Sequence, residues 1–158
     1  MANFNTYSVE SLLPFMARDE VEALNNSVLQ LIADNAVEGL ASPFLYGRNN
    51  NWNQNQYLRM AGATNASATA GYLVSAGSTL TRIQIQAGVA SPNPIPVYVE
   101  VDGVISASLT LVGSTLDEEI SVVVPDSGSG SARVAIRSGA YAAPRARFVA
   151  ASLWSVTQ

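Results

Sequence analysis

The sequence contains no cysteine and no histidine, and all eight of its basic residues are arginine. Without cysteine there is no disulfide, no thiol nucleophile and no thiolate metal site. Without histidine the commonest general base and the commonest transition-metal ligand are both missing. The lack of lysine removes Schiff-base chemistry. Catalysis would have to rest on carboxylates, hydroxyls and arginine, as in a glycosidase. Charge itself is scarce, at 13% of residues against 48% hydrophobic, which is about half the usual charged share. Such a surface suits a chain that buries part of its exterior against partners, or an all-β domain with a Ser/Thr-covered face.

The net charge of −4 argues against nucleic acid as a partner, because phosphate binding needs a basic stripe. Arg145 and Arg147 form the densest basic spot, and two residues are not a stripe. No apolar run approaches the roughly 20 residues that span a bilayer, so no membrane partner is expected. Met1 to Tyr7 lacks a basic and an apolar signal region, so the expectation is synthesis in the cytoplasm without a leader.

The 158 residues suffice for one domain with a real core and a smaller appendage. Residues 1–43 read as a helical anchoring or oligomerisation segment. Ser8 can cap a short helix from Val9 up to Pro14, and Asp19 can cap a second, with Glu20 and Glu22 placed favourably for its dipole. Val21, Leu24, Val28 and Leu31 recur at spacings of three and four, widened by Leu29 and Ile32, and Gly39 is a natural stop. Two readings of this stripe stand side by side: a helix packed on its own β-domain, or an arm whose Val21, Leu24, Val28, Leu31 and Ile32 contact sister chains or a docking protein. Two heptads are too short for an isolated coiled coil.

Residues 44–70 read as an Asn-rich linker with a first short strand at Tyr57–Met60; the stretch from Arg48 to Gln56 carries no periodic apolar pattern. From residue 71 to 158 the period is two. Ile83, Ile85 and Ala87 share one face, as do Val97, Val99 and Val101. Asp102-Gly103 between two alternating runs is a strong hairpin signal. The return strand puts Ile105, Ala107, Leu109 and Leu111 on one face. Further strands are expected over Ile120–Val124, Ala132–Arg137 and Ala146–Val156, with a strand at Gly71–Val74 before them all. The fold class is thus mainly β: an N-terminal helical arm followed by an eight-stranded antiparallel β-sandwich, jelly-roll-like, with a single-sheet barrel as the second choice. Helices first and strands afterwards exclude a βα-alternating architecture.

No constellation for catalysis emerges. Asp117, Glu118 and Glu119 are consecutive and read as a solvated turn leading into a strand, or as charges guarding an edge. Glu100 and Asp102 share a face, but the turn already explains Asp102. No spacing resembles a calcium loop, and the run Ser127 to Ser131 lacks the lysine and helix of a phosphate loop. No catalytic residue, cofactor or metal is expected. Trp52, Tyr98 and Tyr141 are the aromatics that could face a ligand, as a stacking platform for a glycan, or else sit in the core or between subunits.

Phe44-Leu45-Tyr46-Gly47, a polar stretch with Trp52, and then Tyr57-Leu58-Arg59 resemble an element near the start of many tailed-phage fibre and virion domains. Gly71 to Thr81 resembles the segment that leads into their sandwich, and Tyr98 to Gly103 resembles their Val-x-Val-Asn/Asp-Gly hairpin. The resemblance covers roughly residues 44 to 110. It implies a non-enzymatic virion surface protein, a capsid decoration (cement) protein or a head or tail fibre, usually trimeric, bound to a capsid or tail protein through its N-terminal segment. The alternative is the receptor- or glycan-binding head of a short tail fibre.

Overall fold

The structure, a computed structural model, describes residues 22–23, 26–29, 42–61 and 67–157. The chain divides into two units, residues 1–40 and 41–158. In the first unit, the described residues are helical, and Ser27 Oγ donates to the Ala23 carbonyl at 2.9 Å. Of the stripe proposed as an anchor, Val28 is half-buried, whereas Val21, Leu24, Leu31 and Ile32 lie outside the described residues. So do the caps expected at Ser8 and Asp19 and the stop at Gly39.

The second unit is all antiparallel β. Its strands are β1 (Ser42–Asn51), β2 (Arg59–Met60), β3 (Tyr72–Ser75), β4 (Thr79–Val101), β5 (Val104–Val123), β6 (Ser131–Ser138) and β7 (Arg147–Val156), with one 3-10 turn at Ala68–Ala70. They form one sheet in the order β2-β1-β7-β4-β6-β3, with β5 on the other edge of β4. The expected eight strands in two separate sheets are corrected to seven in one. The reason is the length of β4 and β5. Each was expected as two short strands, yet each runs unbroken through a corner. β4 pairs with β7 over residues 79–89 and with β6 over residues 97–101, while β5 follows it along both halves.

The corner has an identifiable cause. Register slips between Gln86 and Ser91 and again between Ser91 and Ile95, where β4 carries Pro92 and Pro94. Neither proline can donate to a ladder, so each relaxes the pairing without ending the strand. Opposite them, Gly113 of β5 takes φ +77°, a conformation that a side chain would disfavour. At the far end, Asp102 (φ +50°) and Gly103 (φ +79°) make the expected tight turn, with Val101 opposite Val104.

A second correction concerns the presumed linker. β1 is paired on both sides, with β2 and with β7, so residues 42–51 belong inside the sheet. Their apolar alternation is short: Tyr46 is buried and Phe44 packs partly against the core, while Arg48 to Asn51 are polar; the Tyr46 hydroxyl donates to the Val134 carbonyl at 2.7 Å. Burial of that hydroxyl, with Tyr72 beside it, pushes its pKa far above the ordinary range. Tyr72 packs edge-on against Tyr46 and tilted on Phe44, with both centroid distances 5.1 Å.

The segment after Trp52 closes the sheet. Tyr57 bridges Arg137 of β6, Leu58 N–H donates to Ile136 O at 2.9 Å, and Ser138 N–H donates to Gln56 O at 3.0 Å. Two residues later, β2 joins β1. Hydrogen-bonded neighbours therefore lead from β4 through β7, β1 and the 57–60 segment to β6 and back to β4. The sheet is nearly closed, as in the barrel that stood second in the sequence reading. The enclosed core contains Leu80, Ile83, Ile95, Val97, Leu111 and Leu153, each wholly buried. The alternation read from β4 is the one observed, with Ile83, Ile85, Ala87, Val97, Val99 and Val101 inward; of the face read at the start of β5, Leu111 is buried, Ala107 and Leu109 are half-buried and Ile105 is exposed.

Candidate interaction surface

Three surface features carry chemistry: a polar row beside the closing segment, a charged stretch on β5, and the uncovered edge of β5 itself. The row follows from register. Tyr98 lies opposite Arg137, and Arg137 lies opposite Tyr57, so one face of three neighbouring strands presents Tyr, Arg, Tyr in line. The guanidinium carbon of Arg137 sits 5.0 Å from the Tyr98 ring centre and 5.9 Å from that of Tyr57, within cation–π range. Glu100, two residues beyond Tyr98 on the same face, accepts from Arg137 Nε and from the Tyr57 hydroxyl, both at 2.6 Å.

Glu100 is only 2% exposed. A carboxylate so buried is tolerated because both oxygens receive strong donors, one of them charged. Burial pulls the Arg137 pKa down, but the hydrogen bond and charge of Glu100 outweigh it and hold the guanidinium above its ordinary value. Burial, and then the same carboxylate, push the Tyr57 hydroxyl up. Both Glu100 oxygens are engaged, so the carboxylate ties β4, β6 and the closing segment together.

Of the three aromatics read as either ligand-facing or core, two are core residues. Trp52 is fully buried; its indole N–H donates to Gln56 O at 2.7 Å, and its backbone N–H to Ala146 O at 2.9 Å. Tyr141 is buried too, with its hydroxyl donating to the Trp52 carbonyl and the Arg145 guanidinium 4.6 Å from its ring centre. An Asn-rich loop disguised this packing: Asn55 takes φ +54°, a conformation asparagine tolerates, and the chain reverses so that Trp52 plugs the end of the core. Tyr98 alone of the three stays half-exposed, wedged between Arg137 and Gly139, where an added Cβ would stand 2.9 Å from the tyrosine ring. Arg137 is a residue the sequence reading missed. Nothing in one sequence links it to Glu100, 37 positions away.

Asp117, Glu118 and Glu119 lie within β5, not in a turn before it. Asp117 accepts a fork from Arg82, Nε at 2.7 Å and Nη2 at 2.6 Å, and a further bond from Gln84 at 3.0 Å. These bonds, with the charge of Arg82, hold its carboxyl down at about 2. Among the described residues, no group of three acidic, histidine or cysteine side chains could hold a metal ion, and no helix is long and apolar enough to cross a membrane.

β5 has no partner on its outer edge among the described residues. Asp117 to Glu119 guard its second half. The first half, Val104 to Val112, carries no charge, and Val104, Ile105 and Val112 are 66%, 48% and 69% exposed. Its backbone N–H and C=O groups along that edge have no strand partner among the described residues.

Removing one partner from the buried junction leaves Glu100 uncompensated, so Arg137→Ala should lower unfolding free energy in urea by about 3 kcal/mol, whereas Arg82→Ala, at an exposed pair, should change it far less. The Asp117 carboxyl contributes stability that is in place above the ordinary carboxylate range and lost as pH falls through about 2. Titration followed by carboxyl-carbon NMR should place its midpoint there, and in Arg82→Ala the midpoint should return towards about 4. No protein-family model, curated protein or solved structure matches the chain.

Proposed function

We propose that the chain is a non-enzymatic structural protein of a tailed-phage virion, of capsid decoration (cement) or head-fibre type. In this reading it is made in the host cytoplasm and sits on the particle exterior. The β unit is the exposed head, and residues 1–40 attach it to a capsid or tail protein. Copies associate as a homotrimer. Binding only to the assembled shell would stabilise the particle by mass action.

The observation that supports this best is the uncharged first half of β5. A long apolar edge left open in solution is an aggregation hazard, and a sister copy is the occupant always present at matching concentration. Pairing of this edge with its own copy would be twofold; a trimer requires the edge to meet a different surface of the sister chain, a heterologous contact that closes into a ring when its rotation is threefold. The resemblance of residues 44 to 110 to virion domains supports the setting. So does the charge division: residues 1–40 hold six carboxylates and one arginine, leaving the β unit close to neutral. The alternative glycan-binding head loses support, since Trp52 and Tyr141 are buried.

Light scattering of the full chain should give three times the chain mass, and Ile105→Lys should shift it to one while circular dichroism stays β-type. A wild-type monomer at every concentration would remove the trimer and the role of β5. Deleting residues 1–40 should abolish co-sedimentation with particles while the β unit remains folded; retained attachment would place the anchor elsewhere.

A further inference from the structure

Three arginines converge where β1 ends and β7 begins, far in sequence from any carboxylate. Arg48 and Arg59 line a cleft of about 340 Å³ with Asn49 and Asn50. Those two asparagines also form the wall of an adjoining cleft of about 370 Å³ that contains Asn53, Arg147 and Phe148. Both volumes fall within the range of small-molecule sites. The sequence has no acidic residue from Gly39 to Val99, and none from Ser127 to the end. Among the described residues, Arg59 and Arg147 have no ion-pair or hydrogen-bond partner for their guanidinium groups. Arg48 is held in place by carbonyls, Nε to Asn51 O at 2.9 Å and Nη1 to Tyr57 O at 3.4 Å.

Elsewhere in the unit Arg82 and Arg137 each pair with a carboxylate, Arg145 stacks on a tyrosine, and Arg133 stands alone with one bond to the Gly71 carbonyl; among the described residues, only here do arginines cluster without a counter-charge. Burial, followed by the charge of Arg59, pulls the Arg48 pKa below its ordinary value, as expected of neighbouring cations without a counter-charge. Phe148 adds a second anomaly. It has φ +54° and is 59% exposed, a conformation uncommon for a bulky residue and costing about 1 kcal/mol or more. The fold thus holds an aromatic ring out to solvent beside Arg147 and the asparagine wall.

We propose that this end of the sheet binds a carboxylate-bearing saccharide. Each element meets a different part of such a ligand. The planar fork of Arg59 matches a carboxylate with two parallel N–H donors, and the N–H groups of Arg48 that the carbonyls leave over add charge beside it. The amides of Asn49, Asn50 and Asn53 both donate and accept, as sugar hydroxyls require. The Phe148 ring offers an apolar face for the C–H side of a sugar. A simple phosphate or sulfate would satisfy the arginines but use neither the asparagines nor the ring. The inference is independent of the virion reading, because it concerns residues that take no part in the β5 edge.

The test is calorimetric titration of the full chain with an oligomer of glucuronic acid, with the corresponding neutral glucose oligomer, and with inorganic sulfate at matched ionic strength. The acidic oligomer should bind, the neutral one at least about tenfold more weakly. Arg59→Gln should weaken binding by about tenfold or more and Phe148→Ser measurably, while Arg82→Gln, at a paired surface arginine, leaves it unchanged. Circular dichroism checks that each variant is folded. Equal binding of the neutral oligomer, equal loss in Arg59→Gln and Arg82→Gln, or no binding of the acidic oligomer would overturn the proposal. Full displacement by sulfate at equal molarity would overturn the saccharide assignment, leaving a bare anion site.

Discussion

Glu100 is a carboxylate placed where water hardly reaches, and the closed form of the sheet depends on how it is satisfied. Its two oxygens take donors from different parts of the chain, Arg137 of β6 and Tyr57 of the closing segment. An unpaired carboxylate there would cost several kcal/mol, so the three groups are stable only together. Segment 56–58 has few other means of staying on β6: a short run of backbone bonds and the anchoring of Ser138 Oγ, which donates to Asn53 O at 2.6 Å. With β2 only two residues long, the ladder on either side of the gap is meagre. Polar contacts supply the closure that strand length does not.

The bent β4–β5 hairpin is the other half of the design. One strand that serves β7 on one side of a corner and β6 on the other makes a continuous frame, so core residues from Leu80 to Val101 are delivered by a single element. The cost is an edge. β5 follows β4 through the corner and is left open along its outer side among the described residues. Nature's usual remedy, charge, is present only where Arg82, Gln84 and Asp117 gather. The division of β5 into a charged half and an uncharged half is what turns an edge into a candidate contact surface.

Much of this was legible in the sequence, and the misses have physical reasons. Period-two alternation marked the inward face of β4, and Asp102-Gly103 the hairpin, because each rests on neighbours close in the chain. β1 escaped notice because a strand paired on both sides was written with asparagines, glycine and arginine, whose backbone bonds as well as any other. Strand number failed at the corner, where Pro92, Pro94 and Gly113 look like breaks but act as bends. The polar flanks of Trp52 left it open between a ligand face and the core, because a polar turn can carry one buried anchor. Glu100, Arg137 and Tyr57 are distant in sequence, and only the register of three strands brings them together. The cleft between Arg48 and Arg59 was hidden for the same reason.

The partners that complete the sheet come from opposite ends of the unit: β1 at residues 42–51 pairs with β7 at residues 147–156. During synthesis, then, the first strand of the unit must wait for the seventh before it gains that neighbour. The β4–β5 hairpin can zip up from its tight turn early, since its contacts begin locally. Ring closure is a late, non-local event of the kind that makes β topologies slow to fold. Until β7 leaves the ribosome, the hairpin's apolar faces have no lid, and this interval is when the chain is most exposed to misassembly with its neighbours.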